Sequence, residues 1–219
     1  MALLVIGGHS RNIGKTSVVA GIIAALPELR WLAIKITQYG HGVCSANGEP
    51  CDCQPGADEH EWAITEERSR AGDSDTSRFL AAGAAQSLWV RTRHGKLNEA
   101  MPALRERIQH ALSAACENVI IESNSVIRFL RPDLYVTVLD PATADFKESA
   151  REYLDRADAV LLHTAADKLI PQWKDVSAKL YRARPTFPIR HGEYVTPELL
   201  HFVRERLVAL GSTGAPSRL

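Results

Sequence analysis

The sequence lacks net charge, a membrane-length apolar run and a secretory leader. Lys and Arg together number 26, as do Asp and Glu, so the overall charge favours neither nucleic acid nor an anionic membrane as a partner. No apolar stretch approaches the roughly 20 residues that a membrane-spanning helix needs. The apolar start MALLVIGG has no basic leader and runs into glycines, so we expect a cytoplasmic protein without a signal peptide.

Internal repeats are also lacking, and short apolar runs alternate instead with longer helical patterns. This alternation predicts an α/β fold with a doubly wound, mostly parallel sheet. Residues 1–210 are expected to form one domain, with 211–219 as a flexible tail. The predicted strands are 2–8, 31–37, 86–92, 118–123, 133–140, 158–164 and 186–191. The predicted helices are 14–26, 76–83, 99–115, 146–156 and 196–210.

Residues 38–79 interrupt this rhythm as an acidic, Cys-rich insertion after the second strand. It holds three of the four cysteines, and the fourth, Cys116, has the spacing of a core residue. Clustered cysteines in a reducing compartment favour a metal over a disulfide. Paired C-x-x-C steps are lacking, so free thiols stay open beside a Zn²⁺ site. The candidate Zn²⁺ ligands are Cys44, Cys51, Cys53 and His41.

The stretch GGHSRNIGKTS, residues 7–17, has the chemistry of a phosphate-binding loop. The usual pattern places its first glycine five positions before the Gly-Lys pair, where this chain has His9. Gly8 lies one position earlier, so the loop has one extra residue. A strand, a glycine turn and a helix that opens with a lysine and a hydroxyl are all present, and backbone N–H groups form most of such a cradle. The predicted nucleotide-binding residues are Gly8, Asn12, Ile13, Gly14, Lys15, Thr16 and Ser17.

A phosphate loop also needs a carboxylate at the end of a neighbouring strand to hold Mg²⁺. Glu122 follows four mostly apolar residues and is the predicted acid, with Thr16 as the second Mg²⁺ ligand. Lys35 ends the predicted second strand, where ligands bind in such sheets. Asp73 and Asp75 precede a short helix, and each is expected to cap it or to reach the metal.

GGHSRNIGKTSVV resembles the phosphate loop of dethiobiotin synthetase, which has five residues before its Gly-Lys-Thr, within the SIMIBI class of P-loop NTPases. The segments LAIKITQYGHG and DSDTSRFLAAGA are similar to the molybdopterin-guanine dinucleotide biosynthesis adaptor (MobB) family. The resemblance covers roughly the first 140 residues and implies that Lys35 reaches phosphate or substrate. In dethiobiotin synthetase a glycine follows the acid, where this chain has Ser123. The resemblance also implies a homodimer.

The expected function is binding of ATP or GTP with Mg²⁺ and weak NTP hydrolysis, as an adaptor or in cofactor biosynthesis, with Lys15, Lys35 and Glu122 as catalytic residues. The Asn-Lys-x-Asp step of GTP-specific relatives is missing, which favours ATP. Asp167 is the candidate residue that contacts the base. Three alternatives stay open: an ATP-dependent ligase or kinase, a metal-handling NTPase that uses the cysteine loop, and a nucleotide-free scaffold. The expected partners are a protein or a small-molecule cofactor, without nucleic acid or membrane.

Overall fold

The protein is described from a computed structural model that covers residues 1–39, 61–164, 171 and 173–211. Its strands are β1 (Leu3–Gly8), β2 (Trp31–Tyr39), β3 (Trp62–Glu66), β4 (Gln86–Arg93), β5 (Asn118–Glu122), β6 (Leu134–Leu139), β7 (Ala159–His163) and β8 (Thr186–Ile189). Its helices are α1 (Lys15–Ala25), α2 (Asp75–Ala81), α3 (Leu97–Ala114), α4 (Glu148–Glu152) and α5 (Pro197–Gly211). Within the described part, no helix is long and apolar enough to cross a membrane.

All eight strands form one sheet in the order β3-β4-β2-β5-β1-β6-β7-β8. Every neighbouring pair is parallel except β3 with β4, so the predicted doubly wound, mostly parallel sheet is confirmed. The carboxyl ends of β1, β2 and β5 meet at one edge, where ligands bind in such sheets.

The inner strands are mostly apolar because both faces of the sheet are covered. Every residue of β1 and β6 is buried. One face packs against α1, α2 and α5, and the other packs mainly against α3. Cys116 is buried in the second core, as its spacing predicts. The two cores hold the strand ends in register, which fixes the positions of the polar groups that follow them.

Two parts of the predicted insertion over residues 38–79 belong to the regular fold instead. Strand β2 runs on to Tyr39, and β3 pairs antiparallel with β4 at the sheet edge. Edge strand β3 is half-exposed and lacks an apolar run, so its sequence carries little strand signal. The cysteine-rich part lies outside the described residues.

The predicted helix over 146–156 is also wrong in its extent. Helix α4 covers only Glu148–Glu152, and a single 3₁₀ turn over Leu154–Arg156 follows it. The preceding segment is instead held in an irregular path by hydrogen bonds to the loop after β1. Helix α5 reaches Gly211, one residue beyond the predicted domain end, and the rest of the predicted tail lies outside the described residues.

Candidate functional site

The loop between β1 and α1 has the backbone conformation of an anion cradle. Gly14 is the N-cap of α1 with φ 90°, and Asn12 also has a positive φ of 55°. The first turn of α1 has neither a side-chain cap nor an acidic residue. The free N–H groups at the start of α1 therefore face the loop, where an anion would satisfy them.

Gly8 ends β1 and lets the loop fold back closely over the strand. A Cβ at Gly8 would lie 2.8 Å from Cδ of Lys15 and 2.9 Å from Cδ1 of Ile13. The amide of Asn124 pairs with both backbone groups of Gly8: Oδ1 accepts from its N–H at 2.9 Å, and Nδ2 donates to its carbonyl at 2.9 Å. Asn124 thus pins the start of the loop. Sequence reasoning missed it, although it comes two residues after the predicted acid.

His9, the extra residue of the loop, is fully buried and serves as an anchor. Its Nδ1 donates to the carbonyl of Asp145 at 2.7 Å, and its Nε2 accepts from the N–H of Asp140 at 3.0 Å. The ring stacks on Phe146 at 5.0 Å and packs against Trp173 at 5.2 Å. Burial lowers the pKa of His9, which agrees with the neutral ring that these bonds require.

Lys15, the lysine of the phosphate loop, folds back over the loop and donates from Nζ to the carbonyl of Ser10 at 2.5 Å. Burial lowers the pKa of Lys15 to about 8, and the charge of Glu122 only partly opposes this shift. The ammonium therefore lies where it is poorly solvated and lacks a direct carboxylate partner among the described residues. A phosphate group would supply that missing negative charge.

Glu122, Thr16 and Lys35 come together at the carboxyl end of the sheet. Glu122 and Lys35 are register partners on β5 and β2, and their side chains form an ion pair at 2.5 Å. Thr16 donates from Oγ1 to the other oxygen of Glu122 at 2.9 Å. Lys35 lies in the middle of β2 rather than at its end, because β2 continues along β4 beyond the predicted boundary.

Asp75 completes this group, since its carboxylate pairs with Lys35 at 2.8 Å. The ammonium of Lys35 is thus surrounded by Glu122, Asp75 and, at 3.4 Å, Oγ1 of Thr16. Burial opposes the charge on Lys35, but the two carboxylates outweigh it and raise its pKa. Burial likewise opposes the charge on Asp75, and Lys35 outweighs it, so the pKa of Asp75 is lowered.

The expectation that Asp73 or Asp75 caps α2 is wrong. Ser74 is the N-cap, with an extended backbone and a side chain that accepts from the N–H of Ser77 at 3.0 Å. Because the Ser74 oxygen caps the helix, neither neighbouring aspartate is needed as the cap. Asp75 is thereby available to face Lys35.

The remaining predicted site residues divide into two groups. Ser17 accepts at Oγ from Arg78 at 3.0 Å, and the carbonyl of Ile13 is 2.9 Å from Nε2 of His163, so both have protein partners beside the loop. The others lie outside the described residues, namely Asp167, His41, Cys44, Cys51 and Cys53.

The side chains of Lys15, Thr16, Lys35, Asp75 and Glu122 line one wide cleft of about 1670 Å³. It extends from the loop over the carboxyl ends of β2 and β5 to Arg128 and Tyr153. In the described part of the chain, no three His, Cys, Asp or Glu side chains are grouped to hold a metal alone. Two carboxylates and one hydroxyl fit Mg²⁺, which proteins usually bind through one or two carboxylates together with substrate phosphates and water.

The predicted α/β fold, with its doubly wound, mostly parallel sheet, is shared with a solved structure. HypB from Helicobacter pylori, solved in complex with nickel, aligns with 99% of this chain and 90% of its own, at 13% identity and a TM-score of 0.50. This likeness shows the fold alone.

Two other solved structures align with lower TM-scores. LpxK from Aquifex aeolicus, solved in complex with ATP, covers 86% of this chain and 53% of its own at 17% identity and a TM-score of 0.43. MobB from Bacillus subtilis covers 94% of this chain and 98% of its own at 16% identity and a TM-score of 0.37. No family model and no curated protein matches this sequence. What the site binds therefore has to be inferred from its own residues.

Proposed function

We propose that this protein binds ATP or GTP with Mg²⁺ and hydrolyses it slowly, as an adaptor or in cofactor biosynthesis in the manner of the MobB family. One observation supports this most: Thr16, Asp75 and Glu122 gather three oxygen groups around a cation beside the uncapped start of α1. The cation is the ammonium of Lys35, which stands where Mg²⁺ would bind when nucleotide is present.

Each residue then has a defined role. The N–H groups of the loop and of Gly14 bind the β-phosphate, and Lys15 leaves the carbonyl of Ser10 to bind the β- and γ-phosphates. Thr16, Asp75 and Glu122 would hold Mg²⁺, which would neutralise charge on the phosphate oxygens. Lys35 leaves these ligands and turns to the transferred phosphate. Ile13 and Ser17 keep the loop in place.

The choice between ATP and GTP is part of the proposal, with ATP favoured because the Asn-Lys-x-Asp step is missing. A Zn²⁺ site at Cys44, Cys51, Cys53 and His41 stays a prediction that metal analysis tests. So does the metal-handling alternative. HypB, which shares the fold at 13% identity, was solved in complex with nickel.

A second candidate is an ATP-dependent ligase or kinase. The cleft favours it, because its volume of about 1670 Å³ exceeds the roughly 300–1,000 Å³ of typical ligand pockets and leaves room beside a nucleoside triphosphate towards Arg128 and Tyr153. Phosphate release that depends on an added carboxylate or amine would distinguish this activity from slow basal hydrolysis.

Titration of labelled ATP and GTP with Mg²⁺ tests the proposal. Wild type should bind at least one of them, and Lys15→Ala should lose about a hundredfold in affinity, because a charge-assisted contact to phosphate contributes about 3 kcal/mol. Lys179→Ala is the matched control, because Lys179 is exposed and away from the cleft. Absence of binding to wild type would refute the proposed function.

A further inference from the structure

The segment after β6, residues 140–147, is fastened to the phosphate loop at its extra residue. The backbone of His9 accepts from the N–H of Lys147 at 2.8 Å and donates to the carbonyl of Val138 at 3.2 Å. Ser10 adds a bond from Oγ to the carboxylate of Asp145 at 2.7 Å. Trp173 donates from Nε1 to two carbonyls of the same segment, at 3.1 and 2.9 Å. The backbone position of Lys147 is therefore tied to the loop itself.

The side chain of Lys147 lines the same cleft as Lys15, Lys35 and Glu122. Its strongest electrostatic neighbour is Arg11, a second cation. Among the described residues no carboxylate lies within ion-pair distance of Lys147. The nearest candidate, Asp145, is already bound to Ser10.

Three cations beside the loop therefore lack an ion-pair partner among the described residues, although Asp73, Glu148 and Glu152 also line the cleft. Glu122 and Asp75 are both in contact with Lys35, which leaves Arg11, Lys15 and Lys147 directed at the cleft without carboxylate partners there. A partly buried ammonium without a partner is unfavourable. Burial and Arg11 together lower the pKa of Lys147 to about 8. A ligand that carries several negative charges would pair with these cations.

We propose that Lys147 is a second phosphate-binding lysine, which contacts the terminal phosphate of the nucleotide and makes the site prefer a triphosphate to a diphosphate. The proposal rests on the proposed function. Strand β1 lies between β5 and β6, so Glu122 approaches the loop from one side and Lys147 from the other. Lys147 also interacts with Lys35 and Glu122, the groups on the side assigned to Mg²⁺ and the terminal phosphate.

Affinities for the triphosphate and the diphosphate, with Mg²⁺ throughout, test the role. Lys147→Met should weaken triphosphate binding about ten- to hundredfold and diphosphate binding less than about threefold. Lys147→Arg should retain most of the preference because it keeps the charge. Arg151→Met is the matched control, since Arg151 lies on the exposed side of the adjoining helix α4. Thermal unfolding of all four proteins verifies that Lys147→Met is folded.

Inorganic tripolyphosphate serves as a second probe that needs no base recognition. If wild type binds tripolyphosphate but no nucleotide, and Lys147→Met weakens it, the role of Lys147 stands and the proposed function fails. If Lys147→Met is folded and discriminates triphosphate from diphosphate as wild type does, the role of Lys147 is refuted while the function survives. If wild type binds neither nucleotide nor tripolyphosphate, the role of Lys147 and the proposed function are both refuted.

Discussion

Lys35 occupies the position between the proposed Mg²⁺ ligands, and its replacement by methionine tests that arrangement directly. Lys35→Met keeps an unbranched apolar stem on β2 and removes only the ammonium. Glu122 then loses its ion-pair partner while it stays 3% exposed at the end of β5. Asp75 also loses its closest partner, but it keeps Arg78 at 3.8 Å and is 38% exposed, so water can replace the ammonium there.

The size of the effect follows from these two exposures. Breaking a buried ion pair from one side costs about 3–5 kcal/mol, whereas an exposed pair contributes about 1 kcal/mol or less. Lys35 is itself 18% exposed, so the lower end of the buried range applies. We therefore expect the free energy of unfolding of Lys35→Met to be about 3 kcal/mol below that of wild type in metal-free buffer.

Mg²⁺ should restore much of this loss, because the variant presents two carboxylates and the Thr16 hydroxyl without a competing ammonium. A cation at a hundred times its dissociation constant stabilises the folded state by about 2.7 kcal/mol. Wild type without nucleotide should gain far less, since Lys35 already occupies the site. Urea unfolding with EDTA and with MgCl₂ measures both effects, and electron paramagnetic resonance of Mn²⁺ measures nucleotide-free binding.

Lys96→Met is the matched control, because Lys96 forms exposed pairs with Glu61 and Glu99 outside the cleft. Its stability should stay close to that of wild type and should not respond to Mg²⁺. The proposed arrangement around Lys35 is refuted if Lys35→Met is as stable as wild type in EDTA. It is equally refuted if Mg²⁺ stabilises wild type and variant alike.

The remaining predictions concern Gly7 of β1 and the effect of pH. Gly7→Ala should destabilise the protein by about 1–3 kcal/mol and weaken nucleotide binding, because its Cβ would lie 2.3 Å from Oδ1 of Asn124. Gly83→Ala is the comparison, because a Cβ there has no atom within 4 Å, and this variant should lose stability but keep nucleotide binding. Equal nucleotide binding by the two variants would contradict this prediction. Unliganded protein should gain stability as pH rises above about 8, since the folded pKa of Lys15 and of Lys147 is about 8 and the unfolded value is higher. Nucleotide affinity should fall over the same range as these ammonium groups lose their protons, which calorimetry at several pH values measures.

The sequence was sufficient for the parts of the fold that rest on local pattern. The buried run of β1 followed by Gly14 and Lys15 predicts a strand, a cradle and a helix, and all three are present. Glu122 could be placed opposite the loop because the ends of parallel strands meet at one edge. Strand β3 escaped prediction since an exposed edge strand needs no continuous apolar run.

Residues that act through tertiary contacts had no comparable signal. Lys147 lies at the start of the predicted polar helix, and the hydrogen bonds that bring its segment to the loop, its own N–H to the His9 carbonyl among them, have no signal in the sequence. Asn124 reads as one polar residue in a turn, although its amide holds both backbone groups of Gly8. Both roles depend on chain segments more than 100 positions apart along the sequence, which neither periodicity nor spacing can relate.

His9 explains physically why the loop is one residue longer than the usual pattern. A glycine at this position would have no ring to place between Phe146 and Trp173 and no imidazole to bond to residues 140 and 145. The segment that carries Lys147 would then lose the ring contacts and both imidazole bonds, while the backbone bond from Lys147 and the bond from Ser10 would remain. The extra residue thus provides a rigid connection that brings another cation to the cleft, while the N–H groups proposed to bind phosphate are still supplied by the backbone through Gly14.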